Sequence, residues 1–96
     1  MRLRITPRAL REAKRIKTWW TENRIGTPDL FEDELDDALE RIVATPTLGL
    51  TYGAGRFGVR VVRVLLPKTE NHVYYTVDAI VVLSVWGAPR ERGPKL

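Results

Sequence analysis

The sequence predicts an α+β fold: a short N-terminal strand, a helical hairpin and then three antiparallel strands. Two threonine-proline pairs punctuate the first half, and apolar residues there recur every three or four positions. From residue 59 onward, β-branched residues replace that spacing with runs typical of strands. At 96 residues, the chain is expected to form one domain over residues 1–96.

The N-terminal segment predicts a strand followed by a helix. Leu3 and Ile5 alternate with polar residues, which is typical of a half-buried strand. Thr6 then offers an N-cap, and Pro7 suits the first helical position. Apolar residues recur at helical spacing as far as Trp20, while arginines and lysines occupy the other faces. We therefore expect a first helix with a basic outer surface.

A second helix is predicted after residues 25–28, where glycine, threonine and proline repeat the same punctuation. Phe31 and Leu35 begin an apolar stripe that continues to Ile42, and carboxylates fill the other face. Carboxylates in the first turns suit the positive end of the helix dipole. The short connection predicts that the two helices form an antiparallel hairpin.

Strands are predicted at residues 59–66, 73–77 and 80–86, with turns between them. The three form an antiparallel meander, and the glycine-rich stretch before them, through residues 52–55, is expected to be irregular. We place the first strand beside the second or the last strand of the sheet. The segment 87–96 is expected to leave the sheet as an irregular basic tail.

The turn between the last two strands predicts their register. If residues 78–79 are the only loop residues, Tyr75 lies opposite Val82 and His72 lies opposite Val85. Tyr74 and Tyr75 then point to opposite faces, so one belongs to the core and the other is available to stack on a base or a bound peptide.

Charge is distributed unevenly along the chain. Sixteen Lys and Arg residues exceed twelve Asp and Glu residues, and the net charge of +4 divides into +6 over residues 1–24, −6 over 25–45 and +4 over 46–96. The two helices can solvate and attract each other through their opposite charges. Arginines on a sheet face that no helix covers can instead bind phosphate or carboxylate. The basic residues on or beside that face are Arg60, Arg63, Lys68, Arg90, Arg92 and Lys95.

His72 is the natural candidate for a general acid or base, since its ordinary pKa lies near neutrality. A lone histidine at the start of a strand is also common as a structural residue. Trp20 continues the apolar stripe of the first helix, so the neighbouring Trp19 either fills the hairpin or contacts a partner.

Composition excludes several classes of site. The chain has no cysteine and one histidine, which excludes disulfides, thiolate zinc sites and a histidine-rich metal centre. The glycine-rich run at 53–58 lacks the lysine of a P-loop and precedes a strand instead of a helix. We expect no cofactor. The basic N-terminus lacks the apolar run of a secretory signal, which predicts a cytoplasmic protein without a membrane partner.

The combination and order of several motifs resembles the RelE/ParE superfamily of toxins from bacterial type II toxin–antitoxin modules. The motifs are the order of elements, the Thr-Pro-Thr-Leu-Gly break at 45–49, the strands at 60–66 and 73–77, and the ending at 82–90. The resemblance covers nearly the whole chain. It implies a RelE/ParE-like fold and a growth inhibitor that a cognate antitoxin keeps silent by wrapping around it.

The resemblance leaves two targets open. RelE-like members cut mRNA in the ribosomal A site, and the matching residues here would be His72, Arg60, Arg63 and Arg90. ParE-like members poison DNA gyrase and are not known as nucleases. The two long helices, and the absence of an aromatic residue in the last five positions, favour the ParE branch. Residues expected to contact the antitoxin or the target are Trp19, Lys68, Tyr74, Arg90, Arg92 and Lys95.

A third hypothesis comes from the charge alone. A small basic domain with arginines on a sheet could bind RNA or DNA without being toxic. Such a module would show steeply salt-dependent binding and no effect on growth.

Overall fold

A computed structural model describes residues 2–54, 58–87 and 93–96. It confirms an α+β chain that begins with a strand and two helices. No helix of the described residues is long and apolar enough to cross a membrane. In chain order the elements are β1 (Leu3–Ile5), α1 (Pro7–Asn23), α2 (Leu30–Ala44), a 3₁₀ turn (Pro46–Leu48), β2 (Leu50–Ala54), β3 (Arg60–Leu66), β4 (Asn71–Thr76) and β5 (Ile80–Gly87).

The strands form one mixed sheet in the order β1-β5-β4-β3-β2. β1 runs parallel to β5, with Leu3 opposite Ile80, and the other three pairings are antiparallel. The first strand therefore lies beside the last, one of the two positions expected for it.

The prediction of a three-stranded meander was wrong by one strand. β2 occupies part of the stretch that was expected to be irregular, and it pairs with β3 at the edge of the sheet. Its register shifts between Thr51 and Gly53, which leaves Tyr52 in a bulge. Glycine disfavours strands and often marks bulges, so the local sequence concealed a strand that the pairing with β3 stabilises.

Local signals predicted α1 better than α2. The Thr6 hydroxyl accepts a hydrogen bond from the Ala9 backbone N–H at 3.1 Å, which confirms the predicted cap. α2 begins at Leu30, not directly after Thr27, because the Thr27 carbonyl accepts the Leu30 N–H and closes a turn between them. An ion pair joins Lys17, late in α1, to Glu32 in the first turn of α2, as expected of antiparallel helices.

The apolar stripes of both helices pack against one face of the sheet. Alternation along β3 directs Val62, Val64 and Leu66 to this face, and Tyr75 joins them from β4. The core residues are Ala9, Phe31, Ala38, Ile42, Val62, Val64, Leu66, Val73, Tyr75, Ile80, Val82 and Val85. We call this side the helix face and the opposite side the second face.

The β4–β5 pairing departs from the predicted register at a bulge. Tyr75 lies opposite Val82, as predicted, but the pairing shifts by one residue beyond it. Tyr74 consequently pairs with Ser84, and His72 with Trp86 in place of Val85. A bulge is a non-local accommodation that the turn residues alone do not reveal.

The end of the chain returns to the second face, contrary to the expected departure from the sheet. β5 continues to Gly87, and the Tyr52 hydroxyl donates a hydrogen bond to the Pro94 carbonyl at 2.9 Å. The Arg8 guanidinium donates to the Lys95 carbonyl at 2.6 Å. Residues 93–96 therefore cover part of the second face that was expected to be bare.

Candidate functional site

The second face gathers three of the predicted functional residues in neighbouring strands. Arg63 lies on β3 directly opposite Tyr74 of β4, and His72 lies two residues before Tyr74. Residues two apart on a strand share a face, so all three side chains occupy the same side of the sheet. Arg63 and His72 are partly exposed there, whereas Tyr74 is buried.

Aromatic packing organises these side chains into a compact cluster. The rings of Tyr52 and Tyr74 meet edge to face with centroids 4.6 Å apart, and the His72 ring stands 5.9 Å from that of Tyr74. The Arg63 guanidinium lies 5.6 Å from the centre of the Tyr52 ring. We call Tyr52, Arg63, His72 and Tyr74 the basic–aromatic cluster.

The environment of His72 keeps its imidazole neutral. Burial lowers its pKa below the ordinary value of 6.5, and the positive charge of Arg63 lowers it further. Both effects disfavour the imidazolium form. At neutral pH the side chain can therefore accept a proton, as a general base must.

Tyr74 has the opposite shift and a different role. Burial raises the pKa of its hydroxyl above the ordinary value of 10, and a hydrogen bond with the Arg63 side chain and the charge of Arg63 only partly oppose this effect. Its side chain is 1% exposed. The hydroxyl is therefore protonated at neutral pH, and the ring offers no free face on which a base or peptide could stack. The buried Tyr74 side chain packs beside Arg63 and His72 on this face of the sheet.

Arg63 is the cation of the cluster. Among the described residues, no carboxylate lies within ion-pair distance of its guanidinium. Packing against Tyr52 and Tyr74 restricts its rotamers, so part of the entropy cost of binding an anion is already met. A phosphate or a carboxylate is the ligand that such a guanidinium would hold best.

Arg60, which was also predicted as a catalytic residue, does not belong to this cluster. It lies three residues before Arg63 on an unbulged strand and therefore points to the helix face. There its guanidinium donates to the Thr51 hydroxyl at 3.3 Å. Of the two predicted strand arginines, only Arg63 shares a face of the sheet with His72.

Trp19 and Lys68 lie apart from the cluster and line a common groove with Arg24. Trp19 is 47% exposed and meets Trp20 edge to face at 5.7 Å, with the Arg24 guanidinium 5.5 Å from its ring centre. Lys68 lies in the β3–β4 turn, where its backbone N–H donates to the buried Glu34 carboxylate at 2.7 Å. This groove is a second exposed surface, away from the cluster.

The remaining predicted contact residues lie toward the C-terminus. Lys95 is exposed, and its carbonyl holds Arg8. Arg90 and Arg92 lie outside the described residues.

Sequence reasoning missed Tyr52 and three exposed leucines beside the cluster. Leu48, Leu50 and Leu65 are 43%, 74% and 47% exposed. Leu50 and Tyr52 stand two residues apart in a stretch interrupted by glycines, a short alternation that signals an edge strand. The chemistry of Tyr52 emerges only when β2 pairs with β3 and brings its ring against Arg63.

Within residues 2–54, 58–87 and 93–96, no group of three His, Cys, Asp or Glu side chains could hold a metal ion. The cluster itself offers one guanidinium, one neutral imidazole and two phenols, of which that of Tyr74 is protonated at neutral pH. In comparisons with known proteins, no family model, no curated protein and no solved structure matches this chain.

Proposed function

We propose that this chain is the toxin of a bacterial type II toxin–antitoxin module, acting in the cytoplasm by contact with DNA gyrase and neutralised by a cognate antitoxin. The proposal rests on the resemblance to the RelE/ParE superfamily. The resemblance depends on the order of the elements, which is strand, helix, helix and then strands. The chain has this order apart from the additional strand β2.

The observation that carries this proposal is the guanidinium of Arg63, which makes no ion pair with a carboxylate of the described residues. It lies over the Tyr52 ring on the second face, whereas both described helices pack against the helix face. An arginine restrained in this way suits recognition of an anionic group on a large partner. The same basic surface would attract an acidic antitoxin segment, and binding to the folded state would stabilise this small domain by mass action.

Gyrase is the favoured target because the nuclease constellation is incomplete within the described residues. Arg60 is on the helix face, and Tyr74 is buried beneath Arg63. The long helices α1 and α2, of 17 and 15 residues, are the feature that resembles the ParE branch.

Induced expression tests the proposal in three steps. We expect growth arrest, relief of that arrest by the product of the neighbouring reading frame, and inhibition of gyrase with trapped DNA breaks in a purified supercoiling assay. Arg63→Gln should weaken both the growth and the gyrase effects, whereas Arg11→Gln on α1 is the matched control for loss of one charge. Normal growth at high expression would refute toxicity, and unaffected gyrase would refute the target.

Cleavage of mRNA is the second candidate, favoured by the neutral imidazole of His72 beside Arg63. The 2′-oxygen of a nucleotide would attack the adjacent phosphorus and lose its proton to His72. The bond from phosphorus to the 5′-oxygen would break, with that oxygen taking up a proton, and a 2′,3′-cyclic phosphate would remain. Arg63 would stabilise the charge on the phosphate oxygens.

The two candidates differ in their response to His72→Ala. Ribonuclease action predicts cuts in ribosome-bound mRNA that disappear in this variant, whereas gyrase action predicts intact mRNA and persistent toxicity. Salt-dependent RNA or DNA binding without growth arrest would instead support a non-toxic nucleic-acid-binding module.

A further inference from the structure

The pocket beside the basic–aromatic cluster combines exposed leucines with two arginines. Leu48, Leu50 and Leu65 line it together with Arg41, Arg63 and His72. Leu50 is opposite Arg63, and Leu65 is opposite His72, so strand pairing places both leucines on the second face. We call the three leucines with Arg41 and Arg63 the leucine–arginine patch.

These leucines are exposed without an evident role in folding. Leu50 at 74% and Leu65 at 47% leave large apolar areas in water, and neither belongs to the core. Scattered single apolar residues are ordinary on a protein surface, but a contiguous group lining one pocket is typical of an interaction site. β2 is also the outermost strand of the sheet, so a partner can approach it from the side.

Charge identifies the chemistry of the partner. Arg41 and Arg63 flank the leucines, and among the described residues that line the pocket there is no carboxylate. Neither arginine makes an ion pair with a described residue. A partner that presents apolar side chains flanked by carboxylates would match both features, and the positive rim would accelerate and orient its approach.

The pocket is too small to suggest a separate cofactor. Its volume is about 250 Å³, below the range of roughly 300–1,000 Å³ that is usual for small-molecule sites. A nucleic acid would stack its bases on aromatic rings, and among the described residues that line this pocket the only ring is the His72 imidazole. Aliphatic side chains of a peptide suit the exposed leucines better.

We infer that the leucine–arginine patch docks an acidic, leucine-bearing segment of a partner protein, with the leucines anchoring it and Arg41 and Arg63 binding its carboxylates. This inference stands on the surface itself and does not depend on toxicity or on either proposed target. A docked segment would lie beside His72 and limit access to it.

A defined peptide tests the inference on the intact chain. The probe is a short synthetic peptide of leucines interspersed with glutamates, with sister peptides carrying glutamine for glutamate or serine for leucine. Amide NMR spectra should show saturable shifts centred on residues 48–51 and 63–65 and on His72. Both sister peptides should bind at least about fivefold more weakly, and added salt should weaken the glutamate peptide.

A matched pair of variants locates the binding. Leu65→Ser should weaken the peptide about tenfold, whereas Leu10→Ser on α1, at 46% exposure against 47%, should leave the affinity unchanged. Both variants should unfold at temperatures close to that of the wild type, since both leucines are half exposed.

Several outcomes would overturn the inference. They are equal affinities for the two variants, shifts centred on α1, no saturation up to about 1 mM peptide, self-association of the chain through this patch, and tighter binding of a single-stranded RNA oligonucleotide at the same amides. Growth assays play no part in this test, so its failure is separate from failure of the proposed toxicity.

Discussion

Replacing Tyr75 by phenylalanine removes one buried oxygen that holds two elements together. Its hydroxyl donates to the Pro46 carbonyl at 2.7 Å and accepts the Gly49 backbone N–H at 3.0 Å. Tyr75 and Gly49 are both buried. The hydroxyl thereby anchors the segment between α2 and β2 to the middle of the sheet. Phenylalanine would leave the Gly49 N–H without a partner and the Pro46 carbonyl dependent on water.

The expected loss follows from those two contacts. An unsatisfied buried group costs about 1–3 kcal/mol, and the partly exposed Pro46 carbonyl lies at the low end of that range. We therefore expect Tyr75→Phe to reduce the free energy of unfolding by about 2–3 kcal/mol. For a domain of this size, this corresponds to a fall in Tm of roughly 8–24 °C.

Urea denaturation followed by circular dichroism measures this loss, with thermal unfolding as a second observable. Tyr52→Phe is the control, because its partly exposed hydroxyl makes one hydrogen bond to the Pro94 carbonyl and should contribute less than about 1 kcal/mol. A loss below about 0.5 kcal/mol in Tyr75→Phe, or equal losses in the two variants, would refute the reasoning.

Burial also raises the pKa of Tyr75 above its ordinary value of 10, with the Gly49 N–H partly opposing the shift. The folded state binds this proton more tightly than the unfolded state does. The resulting stability is present below pH 10 and is lost as pH rises through the folded pKa. Tyr75→Phe should therefore show a smaller alkaline loss of stability than the wild type; parallel curves for the two proteins would contradict this assignment.

Three further predictions concern single side chains. Glu34→Gln should lower the free energy of unfolding by about 2–3 kcal/mol, because the Glu34 carboxylate accepts hydrogen bonds from the Lys68 N–H and from the N–H and hydroxyl of Thr69. In the same urea titration, Asp37→Asn at an exposed position should leave the stability unchanged. Glu70→Gly should raise the free energy of unfolding by about 0.5–1 kcal/mol, because the backbone φ of Glu70 is 57°, in the left-handed region that favours glycine. An equal gain in Glu70→Ala would contradict this explanation. The pKa of His72 measured by NMR should lie below its ordinary value of 6.5. The stability of the wild type should therefore fall as the pH drops through the folded pKa of His72, and His72→Gln should lack this fall.

The sheet shows where local patterns suffice and where they do not. The predicted strand at 59–66 exceeds β3 by one residue, because the valines that favour a strand lie within the run itself. β2 contains a single leucine, Leu50, and a glycine lies within it, so its strand conformation depends on hydrogen bonds from β3. The bulge that moves His72 opposite Trp86 depends on pairing in the same way.

The candidate site likewise has residues that the sequence identified and a geometry that it did not. Arg63, His72 and Tyr74 were selected from the sequence by residue type, since a guanidinium, an imidazole and a phenol carry recognisable chemistry. Their strand positions also predicted that His72 and Tyr74 share a face. The three-residue separation of Arg60 and Arg63 on one strand already indicates that they lie on opposite faces. Which of the two faces the helices depends on which residue of β3 begins the alternation against the core.

The sequence by itself determined the α+β class, the cap and extent of α1, the helical hairpin and a basic second half. These depend on caps, periodicity and charge, which act between residues a few positions apart. Tertiary structure alone decided the formation of the unpredicted strand β2, the return of residues 93–96 to the second face, and the packing of Tyr52 against Arg63. Those features depend on contacts between residues far apart in the chain. These contacts form only when the sheet assembles, and their strength depends on the side chains of the neighbouring strands.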